Sequence, residues 1–388
     1  MHSRNAVFML FGAWLLFSSL AKAQNPGKIT GHVIDAITLQ PVPSASVFLA
    51  NTMIGEMGKE DGDGTYTLSG IPNGKYDLTI SRAGYKLKRI SIEVNGEERA
   101  LDILLVPQTL VSKEEVIKPN SAEYHKLVRH FIRSFIGETG NARKCEIINL
   151  FDIEFRPTED GKTFTASSQK PIVIMNEALG YFVRCSLEEF KVDLNDRYSL
   201  LDGLLESRVQ PGPLWFGELP PKDKAQVRLW RKERMRAYNG SIIHFMRSLR
   251  AGTLFKNDFT IYKYDSLHVG INGNPPTSTE FVYKSGKEEY EYYPVSEKEV
   301  LDPDKLFSLP LKIVYSREAP ESILLPGSLH AVGPQQTVIQ FLTPGIVIRE
   351  NGYYENPWNY AIIGYMGWSQ YIADLLPLEY PQNLKSEK

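Results

Sequence analysis

Between residues 29 and 105 apolar side chains fall on alternate positions, and turn-forming residues interrupt them at short intervals. Tyr76, Leu78 and Ile80 lie on one side of a stretch over 75–82, with Asp77, Thr79 and Ser81 on the other. Ile90, Ile92 and Val94 repeat the pattern, as do Leu101, Ile103 and Leu105. A period of two with one apolar side marks half-buried strands, whereas a helix repeats at 3.6. ITGHVID (29–35), SVFLA (46–50) and TYTL (65–68) add further short strands, with no helical period between them. The stretch is predicted to close into a β-sandwich of about seven strands.

One of its corners, DGDGTYTL from residue 61, poses a choice between a calcium loop and a turn. A helix–loop–helix calcium site needs oxygen ligands at positions 1, 3 and 5, glycine at 6 and glutamate at 12. Counted from Asp61, Asp63 fits position 3, but position 6 is Tyr66 and position 12 is Pro72. The flanks are strand-like as well. Aspartate caps its own backbone and glycine accepts positive φ, so the Asp-Gly pairs are read as a turn. Asn73-Gly74 serves the same purpose before the next strand.

The residues that build this stretch also form a pattern. They comprise Gly31-x-Val33-x-Asp35, Pro41-x-Pro43-x-Ala45-x-Val47, and Asp63-Gly64-x-Tyr66-x-Leu68-x-x-Ile71-Pro72-x-Gly74-x-Tyr76, closed by Ala83-Gly84-Tyr85. The pattern resembles the carboxypeptidase regulatory-like domain, a transthyretin-like sandwich of seven strands. That resemblance implies a fold and an accessory module, and no catalytic residue comes with it. Zinc carboxypeptidases take ligands from H-x-x-E. None of the seven histidines has a glutamate three residues on, and there is no H-E-x-x-H. No catalytic residue, metal or cofactor is assigned.

The chain opens MHSRNAVFMLFGAWLLFSSLAKAQ. A basic start at Arg4, an apolar run over 6–20 and a small-x-small site at Ala21-Lys22-Ala23 make the three-part layout of a secretory signal. The apolar run is shorter than the ~20 residues that span a bilayer. No later stretch is long and apolar enough to cross, so no transmembrane segment is expected after cleavage. The expected divisions are a signal over 1–23, the sandwich over 24–107, a connector over 108–120 and a further domain over 121–388. The expected location is exported, in the periplasm or on the outer surface of a Gram-negative bacterium. Loss of Arg4 and Lys22 with the signal lowers a formal charge of −2 by two. That balance gives no general reason to expect nucleic acid or an anionic membrane as a partner. In an oxidising compartment Cys145 and Cys185 are candidates for a disulfide, with two buried free thiols as the equal alternative.

Beyond residue 120 the pattern changes. Ser121 is placed as an N-cap, and Tyr124, Leu127, Val128, Phe131, Ile132 and Phe135 form one helical face that Gly137 can end. His125 and His130 are five apart, which is not a metal-ligand spacing on one helical face. Strands are expected over 144–155, 171–175 and 181–193. A helix follows over 221–249, weakened at Asn239-Gly240-Ser241. More strands are expected over 259–264, 280–284, 289–295, 311–316, 337–342 and 345–350. A hairpin turn at Asn351-Gly352 and a short helix ending before Pro377 complete the layout. The whole reads as an α+β domain with a mainly antiparallel sheet. The two-part arrangement, with its FIRSFIG, RAYNGSIIHFMRSL and closing GWSQYIADLLPLEY, resembles a group of exported bacterial proteins.

Residues 222–250 hold nine cations against two acids. This excess is read either as a docking surface for an anion or as a solvated face. Arg231, Arg234 and Arg236, with Trp368 from the closing aromatic cluster, are the candidate binding residues. No G-x-S-x-G elbow, phosphate loop or CxxC pair is present. The reading is a non-catalytic cell-envelope protein that binds or scaffolds an envelope protein or glycan. The alternatives are a hydrolase acting on envelope peptide or glycan, and a soluble accessory part of an outer-membrane transport system.

Overall fold

In a computed structural model the described residues are 25–58, 60, 62–108, 121–194, 212–264, 292–294, 310–321, 333–341, 346–349, 352–354 and 360–380. The expected signal, most of the expected connector and the strand expected over 280–284 lie outside them. So do Asp61 and Asn351.

The alternating stretch forms eight strands: β1 (Gly27–Asp35), β2 (Ser46–Leu49), β3 (Gly55–Met57), β4 (Thr65–Ile71), β5 (Gly74–Ser81), β6 (Lys88–Val94), β7 (Glu98–Ala100) and β8 (Ile103–Leu105). One sheet runs β4-β1-β7, with β8 also on β1, and the other runs β3-β2-β5-β6. Inward residues of both sheets, among them Ile29, Val33, Val47, Leu49, Tyr66, Leu68, Leu78 and Ile80, merge into one apolar core. The last predicted strand is shortened to β8, and β7 precedes it unforeseen. β7 and β8 pair parallel with successive parts of β1, and the chain between them crosses against Gly31. A Cβ at Gly31 would stand 2.0 Å from the Leu101 carbonyl oxygen, so only glycine admits the crossing. Asp63 closes its turn as expected, accepting hydrogen bonds from the Thr65 N–H (3.1 Å) and hydroxyl (2.6 Å).

The second region begins with α1 (Ala122–Phe135). The Ser121 side chain accepts from the Tyr124 N–H, and Gly137 follows the helix at φ 104°. Next come β9 (Cys145–Ile147), β10 (Glu154–Pro157), β11 (Thr163–Ser167), β12 (Ile172–Asn176), β13 (Tyr181–Cys185), β14 (Phe190–Asp193) and β15 (Leu214–Glu218). α2 (Lys224–Tyr238) and α3 (Ile242–Arg250) then lead to β16 (Phe259–Tyr264), β17 (Tyr292–Pro294), β18 (Leu311–Tyr315), β19 (Gln335–Phe341), β20 (Tyr360–Gly364) and α4 (Tyr365–Ser369). The sheets are β10-β11-β14, β15-β13-β12-β9 and β17-β16-β18-β19-β20, with antiparallel pairing in each. α1 and the first two sheets share one apolar core, and α3 with the five-stranded sheet builds another.

Three expectations are corrected here. The stretch 181–193 is two strands in different sheets. Its buried positions are odd at Tyr181, Val183 and Cys185 but even at Phe190 and Val192, so Glu188-Glu189 marks a change of face. The stretch 144–155 is likewise broken, by a 3₁₀ turn at Leu150–Asp152. The basic helix is two helices, because Gly240 takes φ 71° and Ser241 restarts the chain by capping the His244 N–H at 3.1 Å.

The sandwich does not stand apart. Thr79, on the face of β5 turned away from its core, is fully buried, and Asp77 and Ser81 are half-buried. The second region covers them: the Tyr353 hydroxyl donates to Asp77 (3.2 Å) and the Ser186 hydroxyl to Ser81 (2.9 Å). The loop after β2 continues the β15 edge, with the Asn51 N–H donating to the Leu214 carbonyl (2.7 Å) and the Phe216 N–H to that of Thr52 (2.9 Å). Phe48 stacks on Trp215 beside it.

α2 is seated on the β12–β13 turn. Gly180 holds φ 71° there, and a Cβ would stand 2.2 Å from the Trp230 indole. Gly180→Ala is therefore expected to cost about 2 kcal/mol, from overpacking and left-handed backbone together, as read from urea unfolding midpoints.

Candidate functional site

A cavity of about 780 Å³ lies between the sandwich and the second region. On the sandwich side it is walled by the end of β5 and the following turn, from Ser81 to Leu87. On the other side stand the β10–β11 hairpin, the 168–171 turn and the β13–β14 connection over 186–189.

Each wall is fixed by local chemistry. Asp35, at the end of β1, accepts the N–H groups of Ile37 and Thr38, both at 2.8 Å, and the Tyr85 hydroxyl at 2.9 Å. Those donors hold its carboxyl below the usual range, and the charged form stays at the base of the turn. Arg82 donates from Nε to the Pro43 carbonyl at 3.0 Å, and the Gln108 N–H closes on Gly84 at 2.8 Å. Across the cleft Arg156 is paired with Glu154 and donates to the Ser167 hydroxyl. Lys170 pairs with Asp152 at 2.9 Å, which holds that carboxyl below its usual range. Arg89 and Glu188 span the two regions at 3.8 Å near the cleft.

The lining carries three cations (Arg82, Arg156, Lys170) against four acids (Glu154, Glu159, Glu188, Glu189), with serine and threonine hydroxyls and the amides of Gln108 and Gln169. Nearly balanced charge with many hydroxyl and amide groups suits a neutral ligand rich in hydroxyls better than an anion or an apolar molecule.

The four candidate binding residues lie elsewhere. Arg234 donates to the carbonyls of Leu179 (2.7 Å) and Gly180 (3.2 Å) and to Glu218 (2.9 Å), with its guanidinium 3.9 Å from the centre of the Tyr181 ring. It fastens α2 to the β12–β13 turn. Arg236 points to the other side of the helix, between Glu233 (4.0 Å) and Glu321 (3.6 Å). Arg231 is exposed, and Trp368 is buried against Tyr365. None of the four lines the cleft. Two other cations of the same stretch also serve the fold: Arg247 donates to the carbonyls of Leu378 and Tyr380, and Arg250 to that of Ile348.

Cys145 and Cys185 are free thiols. Cys145 pairs across the sheet with Asn176 at one end of β12, and Cys185 with Ile172 at the other. That separation is roughly 16 Å between Cα atoms, from strand rise and spacing, far beyond disulfide reach. Burial pushes both thiols up to about 12. Among the described residues no group of three or more His, Cys, Asp or Glu is placed to hold a metal ion. No described helix is long and apolar enough to cross a membrane.

Residues 29–117 match the family model of the CarboxypepD_reg-like domain. Within the matched residues, Asp35 and Tyr85 hold the turn that walls the cleft. No curated protein matches the chain. Among solved structures, a type II cohesin–X-dockerin complex from Acetivibrio cellulolyticus matches at 15% identity and a TM-score of 0.17, over 20% of this chain and 56% of that one. A DUF3823 family protein from Bacteroides ovatus matches at 17% identity and a TM-score of 0.17, over 50% of this chain and 82% of its own. A protein of suggested carbohydrate-binding role from Bacteroides uniformis matches at 11% identity and a TM-score of 0.18, over 50% and 99%.

Proposed function

We propose that the chain is a non-catalytic, exported cell-envelope protein that holds a glycan in the cleft between its CarboxypepD_reg-like domain and the following α+β region. The observation that carries this reading is the cleft itself: about 780 Å³, walled from both sides by hydroxyl, amide and nearly balanced charged groups. The N-terminal segment, with its basic start and Ala21-Lys22-Ala23 site, supports export. The main-chain bonds at Asn51 and Thr52 support a fixed cleft, which spares a ligand the cost of ordering two domains.

Gln169 and Lys170 sit on an exposed turn of the lining, so their loss leaves the core intact. Titration calorimetry with oligosaccharides from envelope polymers should give measurable heats, and Gln169→Ala with Lys170→Ala should weaken binding about tenfold, or about 1.4 kcal/mol. Absence of binding across the oligosaccharide panel would end this reading. Shortened sugars in the same incubations, seen by chromatography, would favour the hydrolase alternative.

A further inference from the structure

We propose that the outward face of α2 docks on an anionic lipid surface. At about 100° per residue, Lys224, Arg228, Lys232, Arg236, Arg231 and Leu229 fall within one arc of roughly 160°. No acid of α2 lies in that arc, and Arg236 near its edge is met by Glu321 at 3.6 Å. Glu233 sits beyond its edge and is largely buried. The opposite side of the helix is anchored by buried Trp230, whose indole N–H donates to the Glu177 carbonyl at 2.9 Å, and buried Tyr238 lies just beyond the arc's edge. Arg234, the cation that turns inward, is the one fastened to the β12–β13 turn.

Lys224, Arg228, Arg231 and Lys232 are exposed and have no ion-pair partner among the described residues. They stand out on a chain whose formal charge is −2, so an anionic surface would draw this face in preference to the rest. Leu229 is 48% exposed in the same arc. A soluble polyanion would leave that side chain in water. A lipid headgroup layer takes cations at the phosphates and an apolar side chain beneath them. The helix is already seated, so docking needs no ordering step.

The test is co-sedimentation of the full chain with vesicles of phosphatidylglycerol and phosphatidylcholine, and with phosphatidylcholine alone. Binding should be confined to the anionic vesicles and should fall as salt shortens the screening length below about 10 Å. Replacing all four free cations (Lys224→Ala, Arg228→Ala, Arg231→Ala, Lys232→Ala) should reduce binding at least about tenfold. An unchanged melting midpoint would show that the fold is kept. Leu229→Ala should weaken vesicle binding several-fold and leave retention on heparin unchanged. Failure to bind anionic vesicles at low salt, equal binding by the four-site variant, or retention on heparin without vesicle binding would each overturn the proposal.

Discussion

Phe131→Ala should lower the stability of the chain by about 3–5 kcal/mol, the cost of removing a fully enclosed aromatic ring. Phe131 is 0% exposed at the centre of α1's inner face. Its ring lies 4.7 Å from that of Phe135, 5.6 Å from Phe155 and 5.7 Å from Phe190, centre to centre. Phe155 and Phe190 belong to β10 and β14, the two outer strands of one sheet, and both meet α1 through this ring. The contacts with Phe155 and Phe190 are edge-to-face, the arrangement that aromatic quadrupoles favour. Alanine would leave a cavity whose walls come from three elements, and interiors this closely packed relax only in part. Ile132, one position on, is 37% exposed, and Ile132→Ala on the same helix should cost no more than about 1 kcal/mol. Urea unfolding midpoints of the two variants make the comparison. Equal losses would mean that α1 is not packed by its Phe131 face.

Legibility in the sequence followed how local each signal was. The α1 face from Tyr124 to Phe135 was readable because one helix states its own period, and Ser121 and Gly137 mark its ends within a few residues. The sandwich was readable for the same reason, down to the Asp63 turn. β3 was not, since Gly55–Met57 is three residues long and almost wholly solvent-facing. The breaks at Glu188-Glu189 and Gly240 were written in the sequence, as a change of buried parity and as a glycine before a serine cap. Apolar content alone reads across both. The cleft was invisible because its lining is drawn from five separated segments, and the one that carries a motif, Ala83-Gly84-Tyr85, signals a fold and not a site. SLEE reads as the middle of one strand over 181–193, and only tertiary pairing brings it and SSQKP opposite Arg82 and Tyr85. The cationic excess over 222–250 was plain as a sum but not as a surface. Arg234, Arg247 and Arg250 donate to main-chain carbonyls, and Lys224, Arg228, Arg231 and Lys232 form the outward face.

Asp374→Asn should make the chain more stable near neutrality, by about 2–4 kcal/mol, while changing it little in mild acid. Asp374 is buried in the 3₁₀ turn after α4, where it accepts hydrogen bonds from the Thr139 hydroxyl (2.6 Å) and the Asn141 amide (2.7 Å). Desolvation outweighs those two donors, and Glu321 adds to it, so the carboxyl is pushed up from 3.8 to about 7. The folded chain keeps a proton there that the unfolded chain has already released. Between about pH 4 and pH 7 the folded state therefore binds more protons, and stability falls as pH rises through that window. Above it the penalty is constant. Asparagine cannot ionise. Its oxygen still accepts from Asn141, and its amide can donate to a Thr139 hydroxyl that turns from donor to acceptor. His244 supplies a slope of opposite sign. Burial pushes its imidazole from 6.5 down to about 4, so in that range the unfolded chain binds the extra proton and stability rises with pH. The two slopes partly cancel in the parent chain, and its own pH profile is a poor measure of either. The difference between parent and Asp374→Asn removes the His244 contribution, which both share. That difference, taken from urea midpoints at about pH 5 and about pH 8, should open toward alkaline pH; a constant difference would mean that Asp374 is ionised in the folded chain throughout.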